Sequence, residues 1–308
     1  MTRLGSSDID VFPLCLGGNV FGWGADEPAS LGVLDAYAEA GGNFIDSADV
    51  YLESVPGNSG GESESIIGHW TRARGNRASV VIATKVGKYS RRPGLAPDNV
   101  RAAIDDSLGR LQTDYVDLYY AHLDDPAVPT EDWYAVFDEL VSSGKVRALG
   151  LSNFSEERVE EVIAIGAREG FAPIAALEPH YSLVAREDAN LLALCERRGL
   201  ACMPYFALAR GFLTGKYRPG VQVESVRAAA ASSYLEDPRA DGLLSVLDGV
   251  AAAHGAPVAS VAIAWLRAQP GVVAPIASAR TAEQLADVLP GATLALDAGE
   301  LQQLSEAW

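Results

Sequence analysis

The chain has 308 residues, 48% hydrophobic and 21% charged, a composition that buries a large core and excludes a disordered, collagen-like or disulfide-stapled chain. Its 41 acidic residues outnumber 24 basic ones for a net charge of −17, and no run of basic residues offsets it. A nucleic acid or an anionic membrane surface is therefore not an expected partner.

Short apolar or β-branched runs alternate along the chain with helical patterns. The strand candidates are 12–17, 43–46, 79–84, 116–122, 146–152, 174–178, 200–204 and 272–276. Most are apolar at nearly every position, as strands of a parallel sheet buried on both faces are. Between them, the pattern predicts a helix over 29–40, ended by Gly41 and Gly42. A second starts at Pro97, with the stripe Val100, Ile104, Leu108 and Leu111. A third carries Trp133, Val136, Phe137, Leu140 and Val141 on one face, with Gly144 as its stop. Ser155 reads as a cap followed by Glu156 and Glu157, which suit a helix N-terminus. A long loop over 205–238 precedes two helical segments, 242–254 and 257–268. Eight βα units and no linker predict one domain over 1–308, a closed (β/α)8 TIM barrel of the α/β class with parallel strands.

Three cysteines, Cys15, Cys195 and Cys202, have neither a disulfide framework nor metal-ligand spacing, which fits a reducing compartment. The first dozen residues lack a signal-peptide core, and the longest apolar run, 258–266, is about half a membrane span. These features predict a cytoplasmic protein.

In such a barrel, chemistry gathers at the carboxyl ends of the strands. The second predicted strand ends at Asp46, with Tyr51 five residues on; the third is followed by Lys85; the fourth ends at His122. Singly, these read as a turn former, a packing tyrosine, a snorkelling lysine and a structural histidine. Lysine occurs only at 85, 88, 145 and 216, so its place at a strand end is informative. Together the four have a chemical logic. Lys85 beside a phenol is expected to lower the Tyr51 pKa from about 10, with Asp46 holding the ammonium. His122 can donate to a substrate carbonyl. A phenol so placed is a general acid for an oxygen that becomes an alcohol.

Several longer segments carry a family resemblance. They are 43–51 (NFIDSADVY), 82–85 (IATK), 117–122 (DLYYAH) and 144–154 (GKVRALGLSNF), followed by Tyr181-Ser182-Leu183, 210–217 (RGFLTGKY) and Glu283-Gln284-Leu285. In these the chain resembles the aldo-keto reductases, in pattern closest to bacterial members and channel-subunit relatives. The resemblance implies a barrel enzyme using NADPH on a small-molecule carbonyl substrate, with a catalytic tetrad at Asp46, Tyr51, Lys85 and His122. It implies a cofactor bed as well: Ser152, Asn153 and the residue at 178 on the nicotinamide carboxamide, and Tyr181 stacked on the ring. Gly17, Gly18 and Asn19 match the first loop. Leu208, Arg210 and Lys216 match the pyrophosphate segment, and Ser278, Arg280 and Gln284 the one for the adenosine 2′-phosphate. Arg280 suits a phosphate through its planar fork.

Three positions depart from that pattern. Glu178 stands where the family has Gln; ionised, it accepts from a carboxamide NH2 but cannot donate to its oxygen. Phe206 replaces a phosphate-binding Ser, and Val288 an Asn near the adenine. Trp23 is the aromatic candidate for a substrate wall. Two rival functions need weighing. The G-x-S-x-G match at 57–61 lacks the strand a hydrolase nucleophile requires. A cofactor-binding accessory subunit with little turnover would keep the same tetrad, and remains the alternative to an enzyme.

Overall fold

A computed structural model describes residues 1–308. It opens on an antiparallel hairpin, β1 (Thr2–Arg3) and β2 (Asp10–Val11), too short to leave a period in the sequence. Eight strands follow: β3 (Cys15–Gly17), β4 (Phe44–Asp46), β5 (Val81–Val86), β6 (Val116–Ala121), β7 (Val146–Ser152), β8 (Ile174–Glu178), β9 (Ala201–Cys202) and β10 (Ile276–Ala277). They lie in the order β10-β3-β4-β5-β6-β7-β8-β9, with every neighbouring pair parallel. The two ends of this sheet meet. Cys202 N–H donates to the Gly271 carbonyl at 3.0 Å, Val273 N–H to Cys202 at 2.9 Å, and Ile276 N–H to Pro204 at 2.9 Å. Closure leaves no free edge, and the expected (β/α)8 barrel results.

The last strand departs from expectation. The ladder to β3 begins at Ile276, whereas Val272 and Val273 bond to Cys202 and form the seam. Hydrophobicity marks 272–276 as buried but does not say which neighbour each part meets.

Helices α1 (Glu27–Glu39), α2 (Glu62–Arg74), α3 (Pro97–Leu111), α4 (Thr130–Ser142), α5 (Glu156–Glu169) and α6 (Ala189–Arg198) follow β3 to β8 in turn. After β9 come a 3-10 segment at Ala209–Thr214, α7 (Ala228–Ser232), α8 (Ala240–His254) and α9 (Val258–Arg267). After β10 come α10 (Ala282–Ala286) and α11 (Ala298–Glu306). The predicted signals act as read. Pro97 opens α3, Ser155 accepts from the Arg158 N–H at 3.3 Å, and the stripe from Trp133 to Leu140 is buried. No single helix is long and apolar enough to cross a membrane.

Period two along the strands decides what enters the barrel. In β5, Val81 and Ala83 join the interior cluster while Ile82 and Val86 join the outer one, so Lys85 falls on the interior face. The same parity turns Asp46 inward beyond Phe44, and Glu178 beyond Ala176. At the other end, Leu4, Ile9 and Val11 of the hairpin segment pack against Cys15, Phe44 and Leu118, plugging the barrel. Gly150 is required by its neighbour: a Cβ there would lie 2.4 Å from the Tyr120 ring, which fills the interior beneath the polar residues.

Candidate active site

Four strand ends converge on one polar cluster. The chain leaving β4 stays tied to β5, with Ser47 N–H on the Ala83 carbonyl at 2.8 Å and Asp49 N–H on Lys85 at 3.3 Å. That path folds Tyr51 back over Asp46. Lys85 lies within β5 rather than past its end, and is fully buried. Its ammonium donates to Asp46 Oδ1, to the Ser47 carbonyl at 2.9 Å and to the Tyr51 phenol oxygen at 2.8 Å. The Tyr51 O–H donates to Asp46 Oδ2 at 2.8 Å. Asp46, Lys85 and Tyr51 thus form a closed ring of hydrogen bonds. His122 stands edge-on to Tyr51, ring centroids 6.3 Å apart, and its buried Nδ1 has no partner. The four residues singled out by strand position are brought together.

Burial and charge set their protonation. Burial pushes the Asp46 carboxyl up, against the pull of Lys85. Burial lowers Lys85, but Asp46 and Glu178 outweigh it and hold the ammonium above its ordinary value. His122 falls well below the usual imidazole range through burial and the charges of Lys85 and Lys88, so it is neutral near pH 7. Tyr51 contradicts the sequence-based expectation. Its phenol is pushed well above 10, first by burial and then by the charges of Asp46 and Glu178. One lysine cannot offset a dry setting and two carboxylates, so the phenol keeps its proton.

A cavity of about 450 Å³ opens above the ring, lined by Asn19, Asp46, Tyr51, His122, Asn153, Glu178, Leu208, Arg210, Lys216, Ser278, Arg280 and Gln284 among others. Most of the expected cofactor bed is therefore contiguous with Tyr51. Gly17, Gly18 and Ser152 lie beneath the wall. A Cβ on Gly17 would meet Ser278 Oγ at 2.6 Å, one on Gly18 would meet Ser63 Oγ at 2.5 Å, and buried Ser152 donates to the Glu178 carbonyl at 3.1 Å. Asn19 Oδ1 accepts from Ser278 at 2.8 Å. Asn153 sits at φ +59, a left-handed conformation that Asn tolerates, and donates to the His122 carbonyl at 2.8 Å.

Two aromatic candidates do not line this cavity. Tyr181 is buried against Trp265, with ring centroids 6.2 Å apart, and does not reach the cavity. Tyr205, three residues past β9, occupies the wall instead, its hydroxyl donating to Asn153 Oδ1 at 2.9 Å. A tyrosine a few residues after a strand carries no sequence sign of which layer it enters. Trp23 faces a neighbouring groove rather than this cavity.

Arg227 is a further cavity residue that the sequence does not mark. It reaches in from the segment before α7 and donates to Asn19 Oδ1 at 3.1 Å. Arg210, Lys216, Arg280 and Lys88 line the cavity too, and none of these five cations forms an ion pair. Three acids, Asp46, Glu178 and Asp287, line it as well. In a chain of net charge −17, cations left without carboxylates mark a place for an anion. The backbone around them is strained: Phe206, Ala209 and Arg210 have φ of +55, +46 and +58. Phe206 gives no hydroxyl, but its ring lies 4.5 Å from the Arg210 guanidinium and fixes it.

Comparison with known proteins agrees with this geometry. The family model described as "Aldo/keto reductase family" matches residues 13–308. The chain is similar to the uncharacterized oxidoreductase YrpG of Bacillus subtilis (32% identical, covering 99% of this chain and 94% of the relative). It is similar to the aldo-keto reductase YhdN of the same organism (33%, 92% and 84%). A norsolorinic acid reductase of Aspergillus flavus is 29% identical, covering 98% and 79%. The chain belongs to the aldo/keto reductase family, whose members are oxidoreductases that use nicotinamide cofactors.

Proposed function

We propose that this protein is an NADPH-dependent carbonyl reductase that converts an aldehyde or ketone into an alcohol. One observation carries the reading: a hydrogen-bonded ring of partly buried Tyr51 with buried Lys85 and Asp46 shares a cavity with five cations that have no carboxylate partners. NADPH bound there would supply the hydride to the carbonyl carbon.

The residues fit that ligand. Arg280 offers a planar fork to the 2′-phosphate, with the Gln284 side-chain oxygen holding its backbone N–H at 3.2 Å. Arg210, Lys216 and Arg227 offer positive charge to the pyrophosphate, and Leu208 and Val288 line the cavity with apolar surface. Asn153 and Glu178 present side-chain polar atoms beside Tyr51, where a carboxamide would be held, with the Tyr205 ring nearby.

The chain's own contribution to the reaction is the proton. Tyr51 turns its O–H from Asp46 to the substrate oxygen and protonates it. The Lys85 N–H already on the phenol oxygen stabilises the phenolate left behind. Asp46 holds Lys85 in place, and neutral His122 orients the carbonyl oxygen by a hydrogen bond. A phenol that stays protonated until an acceptor arrives suits an acid better than an already ionised one.

The test is the near-ultraviolet absorbance of NADPH mixed with the protein and a reactive aromatic aldehyde, alongside NADH. Faster loss with NADPH is expected. Equal use of NADH would overturn the 2′-phosphate assignment. No turnover by protein that binds both nucleotides would favour a cofactor-binding accessory role.

A further inference from the structure

Lys85 has three N–H donors, and all three are spent on Asp46, Ser47 and Tyr51. Glu178 Oε2 lies 3.5 Å from the same ammonium, a looser ion-pair contact than the three bonds Lys85 already makes. That oxygen is buried and has no hydrogen-bond partner, in a residue only 3% exposed at the end of β8. A carboxylate kept ionised there would be a dry charge with an unfilled lone pair, next to a second carboxylate. The alternative is for Glu178 to hold a proton.

We propose that Glu178 is a proton-carrying positioning residue that shares Lys85 with Asp46. With its proton on, Glu178 is neutral, leaves Lys85 to Asp46 and Tyr51, and offers an O–H to an amide oxygen in the cavity. With its proton off, it pulls on Lys85, sets a second negative charge beside Tyr51, and loses that donor. This rests on the carbonyl-reductase reading for its ligand, but the proton itself is a property of the ligand-free protein.

The groups facing Glu178 agree. Asp46 and Tyr51 approach from the β4 side, Lys85 and Lys88 from β5, Tyr120 from β6, Tyr205 from beyond β9 and Cys15 from β3. Burial and the charge of Asp46 push Glu178 up to about 8, outweighing Lys85. Cys15, Tyr51, Tyr120 and Tyr205 are all pushed up, away from the neutral range. His122 is pushed far below it. Glu178 titrates just above neutrality, beside Asp46, whose carboxyl is also pushed up, and Lys88, whose ammonium is pushed down. The Gln usual at this position in the family both donates and accepts at any pH; a protonated Glu does so only while it keeps its proton.

The test compares the wild type with Glu178→Gln from about pH 6 to about pH 10, either side of that value. NADPH binding, read by fluorescence, is expected to weaken about tenfold per pH unit on the alkaline side in the wild type, as loss of one required proton dictates. It should stay flat in E178Q. In the ligand-free protein, the thermal midpoint should fall as pH rises from about 6 to about 8 and level off above that, and fall less steeply in E178Q. Some slope should remain in the variant from buried Asp49, which is also raised, to about 7. Identical pH profiles in the two proteins would overturn the proposal. Should E178Q fail to fold, calorimetry on the wild type in two buffers of different ionisation heat reads the same proton. Uptake approaching one proton on binding near pH 9 supports the proposal, and none overturns it. Should NADPH not bind at all, the reductase reading fails, while the ligand-free thermal profile still decides the protonation of Glu178.

Discussion

Replacing Lys85 by Met keeps most of the side-chain volume and removes one charge from the centre of the site. Asp46 and Glu178 are then two buried carboxyls, 2% and 3% exposed, with no cation between them. Removing one partner of a buried ion pair costs about 3–5 kcal/mol, because the remaining charge is left dry. The carboxyls can escape that cost by taking up protons, at about 1.4 kcal/mol per unit by which each pKa rises. A carboxyl raised in the fold above its unfolded value of about 4 stabilises at low pH and loses that contribution as pH rises through the folded value. The deficit of K85M should therefore be largest near pH 8 and shrink toward pH 5. Urea unfolding followed by the fluorescence of the 5 tryptophans measures it at both ends. A deficit of the same size at both would refute the reasoning, since lost packing does not titrate.

Arg280→Ala should weaken NADPH by about tenfold to a hundredfold, as loss of a charged hydrogen-bonded contact of about 1.5–3 kcal/mol does, and leave NADH nearly unchanged. Fluorescence titration with each nucleotide checks it, and equal losses would contradict the assignment. Gly150→Ala places a Cβ 2.4 Å from the Tyr120 ring and should destabilise the fold by about 1–3 kcal/mol through overpacking, read by urea unfolding. It should lower turnover too, because Tyr120 lies 5.7 Å beneath the Lys85 ammonium.

The barrel was legible because its signals are local and repeated. Eight apolar runs at near-regular spacing, caps such as Ser155 and the Trp133 stripe each carry their own physical cause. Asp46, Lys85 and His122 were legible because a polar residue at the end of a buried strand is conspicuous, and Tyr51 because it follows Asp46 by five residues. What escaped was long-range. The hairpin plug is two residues per strand. The seam at Val272 and Val273 depends on which strands meet when the sheet closes. Arg227 sits in the long loop over 205–238, where no period marks it, and reaches Asn19 across 208 positions of sequence. Tyr181 and Tyr205 both follow strands, and only packing separates the core residue from the cavity wall. The Tyr51 phenol illustrates the same limit in electrostatics: its neighbour Lys85 can be read from sequence, but the burial that outweighs Lys85 cannot.

The central claim is that Tyr51 supplies the proton, and Tyr51→Phe tests it with the loss of a single oxygen. The variant should bind NADPH with an affinity close to that of the wild type, because the contacts proposed for the phosphates lie elsewhere in the cavity. Its turnover of a reactive aromatic aldehyde should be almost abolished. Wild-type turnover in Y51F, from protein of normal stability and NADPH affinity, would contradict the account.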